Sequence, residues 1–289
     1  EGGSLPADTH WYLAQRAFAL TAAYDCAISS KLERITPSGT VDAATVKDLP
    51  ATLHLHIPKT LELRYGENPH QSAALYALGE GGLGSAKKLH GAELSFNNLV
   101  DLDAAWQLIQ EFTRPAAAII KHTNPCGCAE QKSVAEAFRK ALECDPISAF
   151  GSVLAFNCEL DREAAEEVVK LFVEAIAAPS YSQEALAVLT RKKRLRLLEV
   201  DFEPVGLAVK SISGGFLAQS RDVLSWVEER AQVVTERLPS ADEMESLAFS
   251  WKIVKHVKSN AIVYVLGRQT VGVGAGQMSR IDAARIGAA

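Results

Sequence analysis

Residues 101–128 read DLDAAWQLIQEFTRPAAAIIKHTNPCGC, and the change of pattern inside that stretch decides the fold. Leu102, Trp106 and Ile109 recur at helical spacing behind Asp101, a residue type that can cap a helix. Arg114-Pro115 interrupts the pattern, and AAAII (116–120) is a short, wholly apolar run that predicts a buried strand. A helix leading into a buried strand, repeated along a chain, is the mark of an α/β fold.

The alternation continues downstream. Ser133 and Glu136 make a capping-box pattern for a helix over SVAEAFRKALEC, stopped by Asp145-Pro146, and GSVLAF (151–156) follows as a strand. Asp161 is expected to cap a long helix with Val168, Val169, Phe172 and Ile176 facing inward. Ser240 and Glu243 repeat the capping box ahead of Met244, Leu247, Trp251 and Val254. AIVYVL and TVGVG then read as a hairpin joined by Gly267-Arg268-Gln269, and IDAARIGAA as a helix start. Upstream, Leu13, Ala17, Leu20, Tyr24 and Ile28 predict a helix over about 10–33 with one apolar face to bury. Residues 35–60 form a connector, with a short strand expected at LHLHI (53–57) and a domain boundary near 57.

The bulk numbers suit a soluble globular chain of one large or two ordinary domains: 289 residues, 48% hydrophobic, 22% charged. A net charge of -5 and a pI near 5.9 provide no global field for nucleic acid or an acidic membrane. There is no run of about 20 apolar residues, and EGGSLPADTH lacks a signal-peptide pattern, so the cytoplasm is the default expectation. The five cysteines are too scattered for a disulfide framework. Cys126 and Cys128 are separated by one residue, short of the spacing in zinc knuckles, so no metal site is expected.

Chemistry concentrates in a few segments. Lys121 and His122 stand where the buried strand gives way to a turn expected to contain Pro125 and Gly127. A His base and a Lys cation suit acyl transfer to a weakly basic amine, the ammonium favouring a neutral imidazole, although an ordinary strand end needs nothing more. In LRYGENPHQ (63–71), Arg64 can fork onto a phosphate and Tyr65 can pack on a base; a solvated turn accounts for them equally. Asn97 and Asn98 can read a heterocycle's edge or cap a helix. In DPISAFGS, Phe150 offers a stacking face and Gly151 a close backbone approach, or a tight turn. Glu174 is an acid in an apolar stretch that, if buried, needs a partner such as a ligand hydroxyl. KSNAIVYVLGRQTVGVGAGQMSR carries glycines, Gln277 and Arg280 that can meet an anion, but matches neither a dinucleotide fingerprint nor a P-loop.

Taken in order, LRYGENPHQ, SFNNLVD, KHTNPCG, DPISAFG, the AAPS stretch, KSNAIVY and GVGAGQMSR resemble the blocks of the bifunctional purine-synthesis family that joins AICAR transformylase to IMP cyclohydrolase. The opening 30 residues resemble the end of the cyclohydrolase domain and the helix leaving it. The resemblance implies a three-layer α/β/α fold of cytidine-deaminase-like type. It divides the chain into 1–56, the cyclohydrolase end and linker helix; 57–239, the first transformylase subdomain; and 240–289, the start of a second. It also implies a homodimer with shared active sites, AICAR and 10-formyltetrahydrofolate as substrates, and a monovalent cation as a further candidate ligand. By resemblance His122 is the base, Lys121 steadies the transition state, and Arg64, Tyr65, Asn98, Phe150, Gly151, Glu174 and Asn260 hold the nucleotide. Gln277 and Arg280 fall near nucleotide and folate, and Glu174 stands where some relatives carry Asp.

The family's later SDAFFPFRD-like and HFRH-like blocks are not in this sequence, nor is most of the cyclohydrolase domain. The expectation is therefore weak or no transformylase activity and no cyclohydrolase activity from these residues alone, with a non-catalytic nucleotide-binding fragment as the alternative. A zinc deaminase is a more distant rival: HTNPCGC has Asn124 where that chemistry needs Glu, and its Cys spacing is one residue short.

Overall fold

The computed structural model describes residues 3–41, 49–78, 81–202 and 206–289. In chain order the elements are α1 (Ala7–Leu32), β1 (Lys59–Leu63), β2 (Ala73–Tyr76), β3 (Lys87–His90), α2 (Phe96–Ile109), β4 (Ala116–Lys121), β5 (Asn124–Glu130) and α3 (Val134–Leu142). There follow β6 (Ser152–Phe156), α4 (Arg162–Val168), β7 (Val173–Ala178), α5 (Gln183–Leu189), β8 (Arg196–Glu199), β9 (Leu207–Ile212) and β10 (Gly215–Ser220). The last elements are α6 (Ala241–Val254), β11 (Ile262–Leu266), β12 (Gln269–Gly274) and α7 (Arg280–Ala288).

Contacts divide the chain into two compact units, Glu1–Pro58 with Val205–Asp222, and Lys59–Pro204 with Val223–Ala289. The first contains α1 and the β9–β10 hairpin. The helix forms where its spacing predicts, yet none of its residues is buried. Trp11 and Phe18, 68% and 77% exposed, lie off the expected stripe, so its apolar side chains do not gather on one covered face. No strand forms at 53–57; pairing begins at Lys59, beyond Pro58, and the middle of the connector, 42–48, lies outside the described residues.

In the second unit an eight-stranded sheet runs β11-β12-β5-β4-β6-β7-β8-β3, with β6, β7 and β8 mutually parallel and the other pairs antiparallel. This is the expected α/β architecture. Its centre is β4, where alternate residues feed opposite cores. Ala117 and Ile119 join Phe138 of α3, Ala164 of α4 and Leu189 of α5. Ala116, Ala118 and Ile120 join Leu102 and Trp106 of α2 with Phe249 and Ile253 of α6.

Three local readings change. First, α2 begins at Phe96, not behind Asp101: Ser95 accepts from Asn98 N–H while Asn98 Oδ1 accepts from Ser95 N–H, a complete capping box six residues earlier. Second, the helix capped by Asp161 ends at Val168, and Val173–Ala178 is a strand buried on both faces. Such a strand has no period-2 alternation, so its sequence is indistinguishable from a buried helix. Third, Gly127 lies inside β5 rather than in a turn. A Cβ there would sit 1.9 Å from the Ala141 carbonyl oxygen, so glycine lets α3 lie against the strand.

The C-terminal end of α6 is tied to the segment after α2 by Glu111, whose Oε1 lies 2.7 Å from Lys255 Nζ and 3.1 Å from His256 Nε2. Burial by itself would raise the Glu111 pKa, but hydrogen bonds and charge from His256 and Lys255 outweigh it and hold the group at about 2, against an ordinary 4.5.

Two predictions follow from these packings. Gly127→Ala is expected to destabilise the fold by about 3 kcal/mol, read as a lower urea midpoint, because the methyl meets backbone rather than a yielding side chain. A depressed carboxylate stabilises fully above its unfolded pKa and loses that contribution as protons bind. The stability gap between the parent and Glu111→Gln is thus expected to be full above about pH 4.5 and to close toward about pH 2; a gap indifferent to pH would refute the pairing.

Candidate active site

Lys121 pairs with Asn124 across the β4–β5 hairpin, leaving His122 and Thr123 as a two-residue loop. Both lie in the left-handed region, at φ 53° and 62°. Positive φ at both loop positions is the geometry of a type I′ turn, normally built from Asn and Gly; a β-branched Thr there is strained. Local hydrogen bonds hold the turn. Thr123 Oγ1 and Asn124 Nδ2 donate to the His122 carbonyl at 2.7 and 3.1 Å, and Thr123 N–H donates to Asp101 Oδ1 at 2.8 Å. His122 is exposed, at the tip of an otherwise buried hairpin.

From this tip the other candidate residues can be traced along one end of the sheet. Lys121 Nζ donates to the Phe150 carbonyl at 2.8 Å, which places the ammonium beside the start of β6. Gly151 takes φ 75° and its N–H donates to Phe172 O at 2.8 Å, while the Phe150 and Phe172 rings pack 5.1 Å apart. Ser152 is in register with Val173, so Glu174 enters the same end at β7. Its carboxylate is 2.9 Å from Arg196 Nη1 and 3.5 Å from Asn98 Nδ2. Asn98 therefore closes the helix cap through Oδ1 and turns its Nδ2 toward the Glu174 carboxylate.

Two further segments join this end. Asn124 Oδ1 accepts from Lys258 N–H at 3.3 Å, drawing in the segment with Asn260. Asn260 and Gln277 exchange backbone hydrogen bonds at 3.0 and 3.2 Å, and Asn260 Nδ2 donates to the carbonyls of Gln277 and Met278. Arg280 opens α7 three residues later, exposed. Arg64 and Tyr65 are joined more loosely. The Arg64 guanidinium lies 5.2 Å from the Tyr65 ring centre, and their loop reaches α2 through Asn97 Nδ2 and Glu67 O at 3.4 Å.

Arg196 and Thr123 carry no signal in the local sequence, and Asp101, expected to cap α2, instead accepts from the Thr123 N–H. Arg196 Nε and Nη1 donate to the carbonyls of Glu93 and Glu174 as well as to the Glu174 carboxylate. Its partners are 22 and 103 residues away, so no local spacing could reveal them. The closely spaced cysteines do not converge on one point. Cys126 and Cys128 belong to different cores, and burial pushes the Cys126 thiol up to about 12 and raises Cys128 as well, away from the thiolate a metal needs.

This arrangement defines an α/β protein that gathers polar side chains at one end of its sheet, with an imidazole and an ammonium on a strained hairpin. The chain belongs to the AICARFT/IMPCHase bienzyme family, whose pattern it matches over residues 1–289. It is 50% identical over 287 residues to the bifunctional purine biosynthesis protein PurH of Sinorhizobium medicae (strain WSM419), covering 96% of this chain and 52% of that protein. Against PurH of Rhizobium leguminosarum bv. trifolii (strain WSM2304) the identity is 47% over 301 residues, 100% of this chain and 54% of that protein. The chain spans about half the length of the curated relatives it matches.

Replacing Arg196 with Leu is expected to cost about 2 kcal/mol of stability, the scale of losing hydrogen bonds to a charged group. Urea titration of the variant measures it, and an unchanged midpoint would show that the Glu174 contact contributes nothing.

Proposed function

We propose that this site binds AICAR and serves the transfer of a formyl group to its 5-amino nitrogen, in the synthesis of IMP. The observation that carries the reading is the hairpin tip: His122 exposed, Lys121 held beside it, and Asn98, Gly151, Glu174 and Asn260 gathered along the same end of the sheet. 10-Formyltetrahydrofolate supplies the formyl group when bound, and the exposed guanidinium of Arg280, with Gln277 beside it, suits the carboxylates of such a donor.

In this reading Glu174, fixed by Arg196, accepts from the ribose, and Asn98 and Asn260 meet polar edges of the nucleotide. Arg64 pairs with phosphate, and Tyr65 and Phe150 provide ring contacts. His122 takes a proton from the amine as the new C–N bond forms, and Lys121 offsets the charge growing on the formyl oxygen. The bond from the formyl carbon to the folate nitrogen then breaks, and that nitrogen receives the proton.

We also take residues 1–56, 57–239 and 240–289 as a linker region, a first subdomain and the start of a second. A cytoplasmic homodimer with shared sites suits the reading. Among the described residues no helix is long and apolar enough to cross a membrane.

AICAR titrated calorimetrically into this chain is expected to bind saturably. His122→Ala should leave that affinity within about threefold while lowering formyl transfer, however slow, by roughly a hundredfold or more, the usual worth of a general base. Absence of AICAR binding at millimolar concentration would overturn the assignment.

A further inference from the structure

We infer that Asp101 is a positioning residue for His122, acting through the Thr123 amide; this rests on the reading of His122 as the base. In a two-residue hairpin the loop N–H groups are not used by the strands, and an Asn-Gly pair would close the same hairpin without strain. Here the loop is His-Thr, with both residues at positive φ. A conformation of that kind persists only where its surroundings over-determine it.

Most of the bonds that hold the tip come from the tip itself: Thr123 Oγ1 and Asn124 Nδ2, both on the His122 carbonyl. The first moves with the turn; Asn124 is also tied outside it, its Oδ1 accepting from Lys258 N–H at 3.3 Å, a longer contact between neutral groups. Asp101 differs because it belongs to α2, 22 residues away in sequence, and it grips the peptide joining His122 to Thr123. The helix that carries it is itself immobilised: Leu102, Ala105 and Trp106 are sealed in the core against β4. A charged acceptor on a rigid element, 2.8 Å from an amide next to His122, fixes the plane of that peptide relative to the sheet. The direction of the His122 side chain follows from that plane. Asp101 thus acts on the base by way of the backbone.

Four variants test this: Asp101→Ala, Asp101→Asn, Thr123→Gly, and Asp101→Ala combined with Thr123→Gly. The readouts are hydrogen exchange of the Thr123 amide and the NMR shift of the His122 imidazole on adding AICAR. In Asp101→Ala the amide is expected to exchange roughly tenfold faster, the factor that losing one hydrogen bond to a carboxylate implies. The AICAR-induced shift should fall by about half or more, as it would for a base no longer held in one orientation. Asp101→Asn keeps an acceptor oxygen and should restore most of both signals, which also covers the case in which the alanine variant fails to fold. Thr123→Gly relieves the strain, so adding Asp101→Ala to it should change the His122 signal less than Asp101→Ala does alone. Unchanged exchange and an unchanged His122 response in Asp101→Ala, or in Asp101→Asn no better than in a collapsed alanine variant, would overturn the proposal. A parent chain whose His122 does not respond to AICAR would instead overturn the reading of the site, while the Thr123 exchange rates still judge the clamp.

Discussion

Strand β4 must be buried on both faces and yet deliver Lys121 and His122 to its open end. Five of its six residues are sealed, three of them alanines, and their alternation divides the second unit into two cores. Small side chains there let α2 on one face and α3 on the other lie against the sheet, and Gly127 on the neighbouring strand extends the same close approach. The hairpin tip is consequently where the strand can first present polar atoms, and it is held from below by packing rather than by its own turn preference.

That constraint organises the rest of the site. Once β4 ends at Lys121, the antiparallel register with β6 brings Phe150 and Gly151 alongside, and the parallel step to β7 brings Glu174. Arg196 enters on β8 and fixes Glu174 from the next strand over. On the other flank Asn124 reaches Lys258, which carries Asn260 and its partner Gln277 to the same end. Each functional group is thus supplied by a strand end or helix start whose position the cores determine, which suits a site that needs orientation more than flexibility.

Much of this could be read in advance where local chemistry is strong. The Ser133, Asp161 and Ser240 caps, the apolar run of β4 and the β11–β12 hairpin all follow from short-range rules. The reading failed where two structures share one pattern. VEAIAA reads as helix or strand because both of its faces are buried, and Asp101 reads as a cap because its true partner, the Thr123 amide, is remote. The apolar stripe of α1 predicted the helix, and its face is uncovered in the chain by itself, since periodicity specifies which side could be buried and not what covers it.

What the sequence determined by itself was the alternation of helix and strand and most of the caps, which depend on spacings of a few residues, within reach of backbone geometry. The polar groups proposed for the site, from Arg64 to Arg280, were singled out by the family resemblance rather than by spacing. Only the tertiary structure decided that Glu174 is held by Arg196, that Cys126 and Cys128 face different cores, and that His122 stands on a strained turn gripped by Asp101. Those facts depend on strand register and helix packing, which bring together groups that no local spacing links.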